Sequence, residues 1–395
     1  MSKQNTGGVK TLQALTSAAL AIPGLASAQV QTEYLYAQYR EADLPRSQVA
    51  SGSGERYEID SHRFRIAAPL QGAAASLNLT YEALSGASPW FVMPDADSGR
   101  PVQVMSGASI REKRVDAEVS VAYPVGEDLN VAVSAGYSVE DDYEALNGGV
   151  EFEFTPAGQR YSYTGGIGYS YDQLEPTDAR TRFPDRIDKA DKDSLNLFGG
   201  VSFILGPQTV LQTSLGYGWG QGYLSDPYKL AYITSQANTI NDRRPGDRKS
   251  WTASARLRHY IKEFGAALHA DYRYYDDNWQ INAHTLELAW HQTFAETWRV
   301  SPSLRWYSQS QAYFYAPFYD NVRADGLASS DYRLSPFGAI SLRLDVRKVI
   351  DTKWELGAGV ERYEASADYA LGSVRVENPG LVEFTSIYAR INYRY

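Results

Sequence analysis

The chain has 395 residues, 38 Lys and Arg against 47 Asp and Glu, a net charge of -9 and no cysteine. A mean hydropathy of -0.42, with no run of about 18 apolar residues after the first 28, excludes a helical membrane protein. The acid excess offers nothing to a nucleic acid, and no cysteine means no disulfide framework.

In chain order, Lys3 and Lys10 form a positive start, residues 12–25 an apolar stretch, and Ala26-Ser27-Ala28 a small-residue cleavage pattern before Gln29. This predicts a secretory signal peptide over 1–28 and a mature start at Gln29. The stretch is too short and too interrupted, by Gln13, Thr16, Ser17 and Pro23, to span a bilayer.

From Gln29 on, period-2 alternation predicts strands near 31–41, 56–69, 74–85, 109–123, 129–139, 143–155, 160–172, 193–205, 209–222, 249–261, 264–275, 280–293, 297–311, 332–344, 352–364 and 381–395. Short connections at 70–73, 125–128, 156–159, 206–208, 262–263 and 295–296 hold Gly, Pro or charge, as tight hairpins require. Longer ones at 42–55, 86–108, 173–192, 223–248, 312–331 and 365–380 alternate with them, and the outer connections at 140–142 and 276–278 are brief. Apolar residues such as Val131, Val133 and Tyr137 fall on one face, and Asn130, Ser134 and Ser138 on the other. The last strand alternates likewise, with Ile387, Ala389, Ile391, Tyr393 and Tyr395 on its apolar face. A final strand ending on an aromatic resembles the closing strand of bacterial outer-membrane barrels, where Ile391, Tyr393 and Tyr395 would be the signal read by the barrel assembly machinery.

The fold class expected is all-β: one transmembrane antiparallel up-and-down β-barrel over 29–395, of about 16 strands, with short periplasmic turns and long extracellular loops. Outer-membrane lipid is then a partner and the cell outer membrane of a Gram-negative bacterium the location. Inward residues over 129–222 are small: Ser134, Gly136, Gly166, Gly168, Gly200, Gly216 and Gly218. From 249 to the end they are charged: Arg256, Arg258, His269, Asp271, Arg273, Glu287, His291, Arg299, Arg305 and Arg390, with Arg343, Glu355, Glu361 and Arg394. Such charges either form ion-pair ladders across strands or line a constriction with a transverse field. A third arrangement has loop 86–108 or 223–248 folding in against the glycine wall as a plug.

No catalytic constellation, metal site or cofactor is read from the sequence. His269 and His291 face inward near Asp271 and Glu287, without a compact ligand motif. The loop acids Asp95, Asp97, Asp172, Asp178, Asp185, Asp188, Asp191 and Asp193 read as a solvated rim, with a surface calcium as the alternative. The function expected is a non-enzymatic, porin-like channel or transporter for small polar solutes; the alternative is a scaffold barrel holding a lipoprotein or a redox or metal-handling partner.

The segments Leu84-Ser85-Gly86-Ala87-Ser88-Pro89, Tyr137-Ser138-Val139-Glu140-Asp141-Asp142-Tyr143, Gly222-Tyr223-Leu224-Ser225-Asp226-Pro227-Tyr228-Lys229 and Arg244-Pro245-Gly246-Asp247-Arg248 resemble a family of proteobacterial outer-membrane β-barrels known as domain of unknown function 3570. The resemblance implies no catalytic residues. It implies gene neighbours that include a thioredoxin-like protein, a small lipoprotein and a flavin transferase, and hence a periplasmic lipoprotein or thioredoxin-like partner. The loop carrying Asp226, Pro227, Tyr228, Lys229, Arg244, Asp247 and Arg248 reads either as ordinary turns or as a gate that displays positive charge, with Arg243, above an acidic protein.

Overall fold

A computed structural model describes residues 29–106, 110–177 and 185–395; the expected signal peptide and Asp178 lie outside the described residues. Sixteen strands close into one antiparallel barrel. Gln31–Glu41 pairs with Glu58–Leu70 on one edge and with the last strand, Glu383–Arg394, on the other, so no edge is left open. Closure satisfies every ladder internally, which is what a strand-built membrane span needs.

Alternation puts the greasy set outside. Val133, Tyr137, Leu146, Ile167, Leu215, Leu342 and Ile391 are exposed on the outer face, as side chains in contact with lipid would be. Trp251, Trp298 and Trp354 are exposed near strand ends, where amphipathic rings suit the headgroup level. The short turns use left-handed backbone: Gly72 sits at φ 74°, and Ala295 and Glu296 at 46° and 60°. The first described strand starts, and the last one ends, on the short-turn side, where the Tyr395 amide donates to the Val30 carbonyl at 2.9 Å.

The buried apolar core is not inside the barrel but in the outer connections. Trp279, Ile281, Ala312, Phe314, Tyr315 and Leu334 form one cluster, and Ala231, Ile233, Tyr319 and Ala328 a second. These connections carry their own structure: a hairpin of Leu230–Ile233 and Asn238–Asn241, and a small sheet of Val49–Ser51, Pro101–Met105 and Pro89–Pro94.

One strand departs from the expected 332–344 and runs Phe337–Val349. Asp331 accepts a hydrogen bond from the Arg333 amide and starts a 3-10 turn, Tyr332–Leu334, which keeps this stretch out of the sheet. The shift also reveals a short turn at 350–353, in which the Asp351 carboxylate accepts from the amides of Lys353 and Trp354. Asp247 and Arg248, expected in a loop, begin the strand Asp247–Ile261.

Candidate functional site

The two halves of the barrel wall differ as their residues do. Around Gly200 and Gly216 the nearest neighbours are Thr213, Thr164, Ser214 and Thr252 of the wall itself, and Phe198 lies over Gly166. Within contact distance of these glycines the described neighbours belong to the wall itself.

On the opposite wall, a cavity of about 480 Å³ is lined by His269, Asp271, Glu287, His291, Arg343, Asp345, Arg347, Glu361, Tyr388 and Arg390, among others. His269, His291 and Arg347 stand close to the short-turn ends of their strands, so the cavity occupies that half of the lumen. Neighbouring strands bring opposite charges into register. Arg258 Nη2 donates to Asp271 Oδ2 at 2.9 Å, and Arg343 Nη2 to Glu361 Oε2 at 2.8 Å. Asp345 accepts from Arg347 Nε at 2.9 Å, Tyr388 Oη at 2.8 Å and Arg390 Nη2 at 3.2 Å. Glycines make the bed for this group. A Cβ at Gly359 would stand 2.4 Å from Tyr388 Oη, and one at Gly357 3.1 Å from Arg390 Nε. His269 Nδ1 and His291 Nε2 are 3.0 Å apart, and His291 Nδ1 lies 2.8 Å from Ser301 Oγ, so the rings are spent on each other and on the wall. Among the described residues no three His, Asp or Glu side chains group as a metal would require.

The ladder is incomplete. Among the described residues Arg256, Arg273, Arg299 and Arg305 have no carboxylate within ion-pairing distance, although Arg256 sits opposite Asp271 and Arg305 opposite Glu287. Thus the ten lumen candidates fall on one wall, some neutralised and some not. Asp345, Arg347 and Tyr388 were missed as site residues. The first two lay beyond the expected strand end, and the third was read only as one of an alternating set.

Over the outer mouth the loops interlock through buried charge. Asp331, 1% exposed, accepts from Arg333 Nε at 2.8 Å and from Arg244 Nη2 at 2.9 Å. Arg333 reaches Asp226 Oδ2 at 3.1 Å, and Arg244 Nε reaches Asp242 Oδ1 at 2.7 Å. Lys229 Nζ donates to the Pro89 carbonyl at 3.0 Å, and Tyr228 Oη donates to Asp142. Arg56, itself paired with Glu41, donates to the Gly380 carbonyl at 3.3 Å. These bonds tie together connections from all round the barrel. Burial opposes ionisation of Asp331, but Arg333, Lys229 and Arg244 outweigh it and hold the carboxyl well below the usual range. Burial pushes the Asp242 carboxyl up, against the pull of Arg244.

The expected display of positive charge is therefore not what this loop does. Lys229 is 3% exposed, Arg244 is shared by two carboxylates, and Arg248 pairs with Asp277 beneath the Trp279 ring; Arg243 stays exposed. Of the rim acids, Asp172 is buried against Lys192, and Asp193 accepts from Tyr169.

No curated protein sequence matches the chain. A family model described as "Protein of unknown function (DUF3570)" matches residues 12–395. Among solved structures, CdiB from Acinetobacter baumannii is similar at 11% identity and TM-score 0.51, over 93% of this chain and 60% of that one. The siderophore receptor PirA from Pseudomonas aeruginosa is similar at 12% identity and TM-score 0.43, over 92% and 61%. Pseudomonas aeruginosa OccD3 is similar at 9% identity and TM-score 0.44, over 93% and 91%. The chain thus spans about three-fifths of the length of PirA and CdiB. At these identities the likeness is one of fold, that of an outer-membrane-type barrel.

Proposed function

The chain belongs to the DUF3570 family, whose description assigns no function, and we propose that it is a non-enzymatic, porin-like barrel of the outer membrane that passes small polar solutes. The observation that carries this reading is the asymmetry of the lumen: a charged, cavity-bearing wall faces one on which Gly166, Gly200 and Gly216 stand among Ser, Thr, Phe198 and Glu151. Charge fixed on one side of a water-filled passage selects solutes by their own charge, and the interlocked cap governs access from outside. In this reading residues 1–28 direct export and are removed, and Ile391, Tyr393 and Tyr395 present the final strand for assembly.

Solute uptake by proteoliposomes tests it. Vesicles carrying the purified barrel should swell in isotonic small sugars or amino acids faster than protein-free vesicles, and faster again when the cap is weakened by Asp331→Asn. Swelling equal to protein-free vesicles from both forms would overturn the reading.

A further inference from the structure

In the upper lumen, beneath the cap, unneutralised arginines share the wall with a group of aromatic rings. Arg273 on Ala266–Asp277 and Arg305 on Trp298–Gln309 face the lumen with Asn282–Phe294 between their strands. Arg273 is in register with Thr285 and, through it, with Tyr307, two residues along from Arg305, and among the described residues neither arginine has a carboxylate within ion-pairing distance. The Nε of Arg273 is buried and has no hydrogen-bond partner. A buried guanidinium nitrogen left unsatisfied is costly, and in a native structure it calls for a water, an ion or a ligand to complete it. Elsewhere on this wall Arg258, Arg343, Arg347 and Arg390 are matched to carboxylates, while Arg256 and Arg299 are not among the described residues. Tyr307 is two residues along from Arg305 on the same lumen face and meets Phe337 at 5.6 Å, and Tyr363, in register with Arg305 through Ser341, stacks on Phe384 with centroids 4.7 Å apart and planes 13° apart. Tyr39 meets the same Phe384 at 4.6 Å.

We propose that this patch is a binding subsite for a small organic oxyanion with a flat apolar body, an aryl carboxylate being the simplest case. Arg273 and Arg305 would take the carboxylate, since the guanidinium fork matches its two oxygens. Tyr363, Phe384 and Tyr307 would take the ring, which gains both apolar burial and face-to-face or edge contact. Each half of the ligand meets the half of the patch that is otherwise incomplete.

The inference deepens the proposed solute passage and rests on it, but its test need not measure passage. Titration calorimetry of the detergent-purified full chain with benzoate should show saturable binding. Acetate and benzylamine, which lack the ring and the negative charge respectively, should each bind about tenfold more weakly or worse. Arg273→Gln and Arg305→Gln should each weaken benzoate about tenfold, while retaining the heat-dependent gel mobility of a folded barrel. Arg273→Lys should keep part of the affinity, because charge remains without the fork. Equal binding of benzoate and benzylamine, undiminished benzoate binding in folded Arg273→Gln, or no benzoate binding at all would overturn the subsite. Specific binding with no solute uptake in vesicles would instead uphold the subsite and count against the passage.

Discussion

The cap and the charged wall are built from the same residue types and put them to opposite uses. In the cap, Asp331 is 1% exposed and shared between Arg333 and Arg244; on the wall, Arg343 pairs with Glu361 while its own side chain stays 41% exposed. A buried shared charge costs much to strip of its partners, and so holds the connections that carry it in one arrangement. With Arg343 41% and Glu361 16% exposed, this pair is partly screened from the lumen side and contributes less to stability than an enclosed one, which in the proposed passage leaves Arg343 within reach of a solute. Burial, not composition, separates a fastening from a charge open to the lumen.

The largest effect should come from breaking the cap. Asp331→Asn leaves Arg244, Arg333 and Lys229 enclosed without their common counter-charge, a change that in buried pairs costs about 3–5 kcal/mol. Hydrogen exchange in 223–246 and 310–336 should accelerate sharply, with the barrel strands unchanged. Unaltered exchange in these loops would mean that the cap is held by its apolar clusters alone.

On the wall, Glu361→Gln should alter stability by less than about 1 kcal/mol yet shift ion selectivity towards anions, since Arg343 is freed. Reversal potentials in a salt gradient check this. A large loss of stability with no change in selectivity would make the pair a fastening after all and erase the distinction.

Acid sharpens the comparison from another side. A carboxyl held below its ordinary pKa contributes stability above that value and surrenders it only as the pH falls through the folded pKa. Asp331 is of this kind. Asp242 is raised, so falling pH relieves rather than adds to its cost. Cap protection should therefore hold from pH 7 to about 4, where ordinary carboxyls titrate, and decline only below that. Exchange protection lost by pH 5 would contradict both assignments.

The smallest effect is expected at the outer rim, where Arg362 and Glu383 pair with both side chains about half exposed. Arg362→Ala should change unfolding by roughly 0–1 kcal/mol, measurable by denaturant titration.

The barrel was legible because lipid on one side and water on the other impose a period of two that each strand must repeat. Val131, Val133 and Tyr137 against Ser134, Gly136 and Ser138 leave no choice of face. The cap was not legible in this way, since its chain obeys no period and its order comes from contacts between distant loops. Tyr332 and Arg333 read as the start of a strand and Asp331 as the end of a loop, when Asp331 opens a turn and anchors two arginines. The segments that carry the family resemblance nevertheless pointed to it. Asp142 meets Tyr228, the Ser225 hydroxyl accepts from the Arg244 amide at 2.9 Å, and Gly86, at φ 125°, has the Arg56 carbonyl where a Cβ would stand. Their spacing marked a constrained loop, but showed neither that its charges were buried nor which partners lay across the mouth.

Single-channel recording of the purified protein in a planar bilayer tests the capped-passage account most directly, with the native chain and folded Asp331→Asn compared side by side. The account predicts brief or small openings in the native barrel and long, larger openings in the variant, both selective by charge. Silence from a folded Asp331→Asn barrel would contradict it.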